Sequence, residues 1–494
     1  MVGNKLPTLS KTKYLSGLQC HKRLWLQLFQ PELAEEADAA TQMRFDEGNR
    51  VGEVARGLFP GGLLIDWEGY RHGQAMELTR QAVSDASVPA IYEAALMHDD
   101  IRIRADILHR VGNGVFDLVE VKSATSVKEV YKPDLSIQLY VAQGSGLKIR
   151  RCRLMHIDNR YLYPGGEYDL AKLFRLKDIT DIVQKLQPEI PERLAEIREA
   201  LSRETPPEIE VGPHCSSPYA CEFWQHCKPE ESDFPLSGLY RGQAVRPKLE
   251  AEGIDDVREI PEDFPGLTAL NRRIVAAVKS GRPYLDPALA KVWSGLSFPL
   301  HFIDFETINP GLPLYAGTRP YQQIAFQWSH HKLKAGGTLT HAEFLHEGAG
   351  DPRPDFARAL IESVGKKGSI LIYSSFETTQ LKSIALAYPA LAPGLEQVMG
   401  RFVDLLPIVR KHVYHPDFHG SFSIKAVAPA LSPAASYEGM AITDGSSATA
   451  AYLHMIDPAN TAQQRGEMKD SLLQYCKQDT VDMVEIYRRL VAGE

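Results

Sequence analysis

The hydrophobic pattern of the chain predicts buried strands that alternate with amphipathic helices. Apolar runs of strand length occur in both halves of the sequence, at Ile91–Leu96, Ile101–Leu108, Val115–Lys122, Leu300–Thr307, Gln322–Leu333, Thr338–Leu345 and Ser369–Tyr373. Helical spacing of apolar residues is found at Arg44–Leu58, Asp134–Gln143, Phe356–Val364, Thr378–Tyr388 and Leu472–Leu490. This order of elements predicts an α/β fold in each half of the chain.

A middle segment of different character predicts the domain organisation. Residues 236–297 are polar, punctuated by proline and helical in pattern, and they separate the two strand-rich halves. We therefore predict one domain at residues 1–235, a helical connector at 236–297 and a second domain at 298–494. Within the connector, Leu249–Ile260 faintly resembles a helix-hairpin-helix turn, and an ordinary helical segment is the alternative interpretation.

Composition and charge exclude some classes of protein. Of the 494 residues, 44% are hydrophobic and 24% are charged, which is ordinary for a globular protein. The formal net charge of −8 argues against a passive nucleic-acid coat. No apolar run approaches the roughly 18 residues of a membrane span, and the first residues lack a signal-peptide core. We therefore expect a cytoplasmic protein with no membrane partner.

The spacing of the cysteines predicts a metal site in the first domain. Cys215, Cys221 and Cys227 are separated by five residues each, which is wider than the C-x-x-C pairs of most zinc ribbons. Disulfides are rare in the cytoplasm, so a patterned set of thiols indicates metal binding. With the distant Cys20, these residues supply the four thiolates that a 4Fe-4S cluster needs. A zinc site is the alternative, with the same ligands or with a histidine replacing one thiol, either His214 or His226.

One distant cysteine followed by three closely spaced ones resembles the iron-sulfur staple of CRISPR-associated and AddB-type nucleases. The resemblance implies that a cluster closes the first domain across the long loop between residues 20 and 215. Cys152 and Cys476 lie outside this pattern, and we interpret both as small buried hydrophobes.

A predicted hairpin between these cysteines carries a second candidate site. Ile101–Leu108 and Val115–Lys122 are joined by a glycine-rich turn. Glu120 and Lys122 share one face of their strand, and Asp106 lies on the partner strand. An Asp, a Glu and a Lys in this order resemble the PD-(D/E)xK nuclease core, which implies that Asp106 and Glu120 hold a divalent metal and that Lys122 is catalytic. An exposed hairpin with a cross-strand salt bridge is the alternative interpretation.

Further residues fit, or depart from, the RecB-like branch of that family. Gln138 matches the glutamine that follows the E-x-K strand there, and the resemblance implies that it is a catalytic residue. Gly52 stands where the family has a metal-binding histidine. Glu93 is therefore expected to contribute a metal ligand in place of that histidine.

A third candidate site lies in the second domain. Asp304 and Glu306 share one face of an otherwise apolar strand, so mutual repulsion and lost hydration predict a divalent cation beside them. A strand end that enters water is the alternative. Glu377 follows a second buried strand, while Tyr475 and Asp479 are four residues apart on one helix face.

This order of acids resembles the DnaQ-like proofreading exonucleases, in the subgroup whose last motif is Y-x-x-x-D. The resemblance implies an RNase H-like fold in which Tyr475 orients the attacking water. It also implies Mg²⁺ or Mn²⁺ held by four acids, Asp304, Glu306, Glu377 and Asp479. The family usually has aspartate where Glu377 stands, so Asp404 is an alternative ligand at that corner.

Together the motifs predict a metal-dependent nuclease with two sites. Their order resembles a bacterial family that fuses a restriction-endonuclease-like iron-sulfur PD-(D/E)xK domain to a DnaQ-like 3′-5′ exonuclease domain. We expect single-stranded DNA as the substrate, with RNA as an alternative. Because the sequence holds no P-loop motif, a separate helicase would have to supply single strands. Two further alternatives are a first domain that only binds nucleic acid and a purely structural iron-sulfur scaffold.

Overall fold

The chain forms two compact units in a computed structural model, which describes residues 7–36, 39–66, 72–432 and 439–493. The first unit comprises Met1–Pro229 and Pro310–Tyr321, and the second comprises Glu230–Asn309 and Gln322–Glu494. This division differs from the predicted one, because residues 236–297 belong to the second unit and Pro310–Tyr321 belongs to the first. Within the described ranges, no helix has both the length and the apolar character needed to cross a bilayer.

A seven-stranded sheet is the framework of the first unit. Its strands are β1 (Leu9–Ser10), β2 (Leu63–Leu64), β3 (Ala90–His98), β4 (Ile101–Gly112), β5 (Val115–Lys122), β6 (Lys148–Ile157) and β7 (Phe174–Asp178). The strand order is β2-β3-β4-β5-β6-β7, and β1 pairs with β4. Strands β3, β4 and β5 form an antiparallel meander, whereas β5 and β6 are parallel and therefore need a crossover connection between them.

The helices of this unit pack around the sheet. They are α1 (Lys11–Gln19), α2 (His21–Phe29), α3 (Ala39–Arg56), α4 (His72–Ser84), α5 (Tyr131–Gly144), α6 (Leu170–Leu173), α7 (Thr180–Leu186), α8 (Ile190–Leu201) and α9 (Trp224–Cys227). Helix α5 supplies the crossover between β5 and β6. Strand β4 shows the predicted alternation, since Ile101, Ile103 and Ala105 are buried while Arg102 and Arg104 are exposed.

The second unit contains a five-stranded sheet in the order β11-β10-β9-β12-β13 and a short β14-β8 pair. Its strands are β8 (Tyr284–Leu285), β9 (Leu300–Ile308), β10 (Ile324–Leu333), β11 (Leu339–Leu345), β12 (Ile370–Ile372), β13 (Phe402–Asp404) and β14 (Val413–Tyr414). Strands β9, β10 and β11 are antiparallel neighbours, whereas β12 is parallel to both β9 and β13. The sheet is thus a meander extended by parallel strands.

Helices cover both faces of this second sheet. They are α10 (Arg246–Ala251), α11 (Ala269–Ser280), α12 (Leu289–Ser294), α13 (Arg353–Val364), α14 (Phe376–Ala387), α15 (Ala392–Met399), α16 (Leu405–His412), α17 (Ile424–Leu431), α18 (Gly445–Ile456) and α19 (Ala462–Ala492). On one face of β9, Phe305 packs edge-on against Phe356 of α13. On the other face, Phe302 packs against Tyr487 of α19. Asp304 and Glu306 follow Phe302 at intervals of two residues, so they lie on the same face of β9 as Phe302. This is the face covered by α19.

The predicted connector is part of the core of the second unit. Apolar residues of 236–297, including Leu249, Val257 and Ile260, share one buried cluster with Val409 and Ile486. The faint helix-hairpin-helix pattern therefore corresponds to the end of α10 and a 3-10 turn whose apolar side chains are buried in this cluster.

One close backbone approach tests this packing. Gly420 has φ of +78°, and a Cβ atom there would overlap the carbonyl oxygen of Gly238, which lies in the segment predicted as a connector. We expect Gly420→Ala to destabilise the second unit by about 2 kcal/mol or more, measured by denaturant unfolding. Gly336→Ala is the matched control, because a Cβ atom at Gly336 meets nothing within 4 Å. Equal stability of the two variants would contradict the packing described above.

Candidate active sites

Four carboxylates from separate elements converge in the second unit. Asp304 and Glu306 come from β9, Glu377 from the first turn of α14, and Asp479 from α19. Glu306, Glu377 and Asp479 are 7%, 2% and 5% exposed. Carboxylate oxygens of Asp304 and Glu306 and the sulfur of Cys476 lie within 4.8 Å of one another. The structure therefore brings together the four acids that the sequence predicts as metal ligands.

Burial and mutual repulsion control the charge of this cluster. Burial, followed by the charges of Asp479 and Glu306, raises the pKa of Asp304 well above its ordinary value. Burial, with the neighbouring Asp404 and Asp479, raises the pKa of Glu377 to about 8. Among the described residues, no group donates a hydrogen bond to the buried Oε2 atom of Glu377. A buried carboxylate oxygen without a donor fits a divalent cation, which prefers oxygen ligands.

Tyr475 lies one helical turn from Asp479 and is 3% exposed. Lys425 of α17 donates a hydrogen bond from Nζ to its hydroxyl oxygen at 3.0 Å, and the ammonium group lies 5.0 Å from the ring centroid. Burial and the charges of Asp479 and Glu306 raise the pKa of Tyr475, so the phenol stays protonated and can donate a hydrogen bond. The sequence pattern could not distinguish Lys425 from a surface lysine, because its contact with Tyr475 is formed only in the folded chain.

Two residues near the acids have roles that differ from their sequence interpretation. Cys476 is fully buried, but its sulfur lies 3.8 Å from Oδ2 of Asp304, so it borders the site and is more than an apolar filler. Asp404, the alternative ligand, caps α16, and its Oδ1 atom accepts hydrogen bonds from the backbone N–H groups of Leu406 and Ser374, both at 3.0 Å. Asp404 thereby fixes the loop that leads into Glu377.

A polar network behind the acids positions α19. The hydroxyl of Thr480, next to Asp479, lies 2.7 Å from the hydroxyl of Ser329 and 2.8 Å from Nδ1 of His331. The amide of Gln327 donates to the carbonyl of Leu472 at 2.7 Å. All three partners belong to β10, so the helix that carries Asp479 is held against the strand beside Asp304. Sequence reasoning missed these residues because their partners lie about 150 positions away.

In the first unit, the predicted PD-(D/E)xK residues also come together. Glu120 accepts hydrogen bonds from Lys122 at 2.7 Å and from Gln138 at 2.6 Å. Asp106 accepts a hydrogen bond from the backbone N–H of Val121 at 2.7 Å, and burial followed by the charge of Glu120 raises its pKa to about 7. The hairpin and the crossover helix α5 therefore form one cluster, as the register of β4 and β5 requires.

Two members of this cluster were not predicted from the sequence. Lys11 of α1 lies 2.7 Å from Glu120 and 3.1 Å from Asp134 of α5. Asp134 also accepts a hydrogen bond from Lys122 at 2.5 Å. Asp134 precedes Gln138 by one helical turn, which is a spacing that could have indicated it, whereas nothing in the sequence connects Lys11 with residues more than 100 positions away.

In the structure, Glu93 is paired with two arginines. Its two carboxylate oxygens form ion pairs with Arg56 at 2.9 Å and with Arg104 at 2.6 Å. Glu93 also has φ of +56°, a left-handed conformation that is uncommon for residues other than glycine. Both carboxylate oxygens of Glu93 are thus engaged by arginines, and its assignment as a metal ligand stays a prediction.

The four cysteines predicted as cluster ligands line a single pocket. Cys20 lies at the break between α1 and α2, and the other three lie in the loop around α9, together with His214. Gln19 donates to the carbonyl oxygens of His214 and Tyr219, both at 2.7 Å, and thus ties the loop to α1. Burial and the neighbouring Cys20 and Cys215 raise the pKa of the Cys227 thiol. Ionisation of these thiols is therefore unfavourable without a ligand, and a bound metal would offset that cost by stabilising the thiolates.

The assignment of a metal to these four thiols predicts that removal of one of them abolishes metal binding there. We expect Cys221→Ser to lose the metal and to lower the melting temperature, because the loop then lacks its link to Cys20. Elemental analysis of anaerobically purified protein measures iron, sulfide and zinc. Cys152→Ser is the control, since Cys152 is fully buried in β6 and does not line the pocket. Zinc without iron in the wild type would contradict the cluster assignment.

Comparison with protein-family models gives one match, to a domain of unknown function, DUF2779, over residues 301–423. This region includes β9 with Asp304 and Glu306 and extends past Glu377, but it ends before Tyr475 and Asp479. It covers about a quarter of the chain. A comparison with curated proteins returned no match.

Proposed function

We propose that the second unit is a divalent-metal-dependent phosphodiesterase that removes nucleotides from the 3′ end of single-stranded nucleic acid. The convergence of four carboxylates in one largely buried cluster is the observation that carries this proposal. Four carboxylates this close together repel one another strongly unless protons or cations compensate their negative charge. Carboxylate-only ligands favour Mg²⁺ or Mn²⁺ over softer metals.

The topology of the second sheet supports a DnaQ-like assignment. An antiparallel meander, β9-β10-β11, followed by the parallel strands β12 and β13, is the arrangement implied by an RNase H-like fold. The acids lie on the first strand, after the fourth strand and on the last helix, in the order that the DnaQ-like resemblance requires.

The chain's own residues define the remaining chemistry. When bound, divalent ions supply an activated water and stabilise the charge on the leaving 3′ oxygen. Asp304, Glu306, Glu377 and Asp479 would hold them. Tyr475 stays protonated and, held by Lys425, is positioned to donate a hydrogen bond to the attacking water or to the scissile phosphate.

For the first unit, we propose an iron-sulfur PD-(D/E)xK domain that binds the nucleic acid. The common pocket of Cys20, Cys215, Cys221 and Cys227 supports a 4Fe-4S cluster. The ring of Tyr219, half exposed in the cysteine loop, offers a stacking contact for a base. A cytoplasmic location and a helicase partner are part of this proposal.

An end-labelled trimming assay tests the proposed activity. Full-length protein purified without oxygen is incubated with Mn²⁺ and single-stranded DNA or RNA labelled at the 5′ end. We expect a ladder of products that shortens one nucleotide at a time, on DNA more than on RNA, and no activity in EDTA. Faster trimming of RNA would make the protein an RNA-processing exonuclease. Internal cleavage, or no metal-dependent cleavage, would contradict the proposal.

A further inference from the structure

The acidic cluster of the first unit differs from that of the second in its charge balance. Three carboxylates, Asp106, Glu120 and Asp134, face two ammonium groups, Lys11 and Lys122, which gives a formal charge of −1. The first cluster is therefore largely compensated by the chain itself.

The hydrogen bonds of Glu120 leave little space for a metal ion beside its carboxylate. Its Oε1 atom accepts hydrogen bonds from both Lys11 and Lys122 at 2.7 Å, and its Oε2 atom accepts one from Gln138 at 2.6 Å. Asp134 is engaged in the same way, because Oδ1 lies 3.1 Å from Lys11 and Oδ2 lies 2.5 Å from Lys122. A divalent cation would have to displace at least one ammonium group to reach either carboxylate.

Lys11 is held in the cluster by the backbone around it. It is the first residue of α1, whose N-cap Ser10 accepts a hydrogen bond from the backbone N–H of Lys13 at 3.2 Å. The preceding strand β1 pairs with β4, where Leu9 lies opposite Ile101. Only 20% of the Lys11 side chain is exposed.

We propose that Lys11 is a tethered counter-ion, whose ammonium group occupies the position between Glu120 and Asp134 that a divalent ion would need. While Lys11 is in place, the first unit binds no divalent ion at these acids and does not cut. The predicted ligand Glu120 thus does not fit a metal in this arrangement. This inference is independent of the activity proposed for the second unit.

Mn²⁺ binding by the full chain tests the role of Lys11. The Asp304→Asn background weakens the second-unit site, and free Mn²⁺ is followed by electron paramagnetic resonance during a titration. Adding Lys11→Met should create one further Mn²⁺ site per chain, with affinity about tenfold or more above that of the background protein. Lys13→Met is the matched control on the same helix, since Lys13 bonds to Gln27 and lies outside the cluster. It should create no site.

Two outcomes would overturn the proposal. One is a folded Lys11→Met protein, judged by its melting curve, that gains no Mn²⁺ site. The other is an Mn²⁺ site in the Asp304→Asn protein that disappears on adding Glu120→Gln, because Lys11 would then coexist with a bound ion. If Lys11→Met does not fold, the second comparison decides alone, and Mn²⁺ binding that is insensitive to Glu120→Gln supports the proposal.

Discussion

Asp304→Asn is expected to reduce stepwise 3′ trimming by roughly a thousandfold or more. Asp304 is the acid whose pKa is raised by burial and by all three other carboxylates, so it lies at the electrostatic centre of the cluster. The asparagine keeps the side-chain volume and removes the charge that would hold a cation. The rate is measured on 5′-labelled single-stranded DNA at saturating Mn²⁺.

A surface acid on the same sheet provides the control for this variant. Glu343 lies on β11, opposite Ser329, which in turn lies opposite Asp304. Glu343→Gln removes one carboxylate from an exposed position and should leave trimming unchanged. Asp304→Asn should also melt at or above the wild-type temperature without metal, because it relieves repulsion. Residual trimming near the wild-type rate would show that the reaction takes place elsewhere.

Metal-free protein is expected to lose stability in the second unit as the pH rises, and divalent ions should restore it. The pKa of Glu377 is raised to about 8, mainly by burial, from an ordinary value of 4.5. A carboxyl group with a raised pKa binds its proton more tightly in the folded state. Its contribution to stability is therefore complete below about 4.5 and is lost as the pH rises through about 8. Thermal melting in EDTA measures this slope.

Mn²⁺ should raise the melting temperature more at about pH 8 than at about pH 6, because protons and metal ions compete for the same oxygens. Glu377→Gln, which cannot ionise, should flatten the pH slope in EDTA. Melting temperatures that increase with pH in EDTA, or a slope unchanged by Glu377→Gln, would mean that these acids are not buried together.

The local parts of both sites could be predicted from the sequence. The alternation in β9 places Asp304 and Glu306 on one face, and the four-residue spacing in α19 places Tyr475 above Asp479. These features depend only on the two-residue period of strands and the 3.6-residue period of helices. The shared pocket of the cysteines likewise agrees with their regular spacing.

Contacts between distant segments could not be predicted in this way. Lys11 reaches Glu120 across 109 positions, and Lys425 reaches Tyr475 across 50. The ion pairs of Glu93 with Arg56 and Arg104 span 37 and 11 positions, so a local pattern does not encode them either. Residues 236–297 were predicted as a separate connector because polar residues dominate the segment. Its apolar residues nevertheless belong to the core of the second unit.

Anomalous X-ray scattering from crystals grown with Mn²⁺ and a short single-stranded oligonucleotide tests the central claim most directly. We predict manganese peaks bounded by the carboxylates of Asp304, Glu306, Glu377 and Asp479, with the 3′ end of the oligonucleotide against them and the hydroxyl of Tyr475 facing the terminal phosphate. Ordered carboxylates without a manganese peak between them would contradict a metal-dependent phosphodiesterase in the second unit.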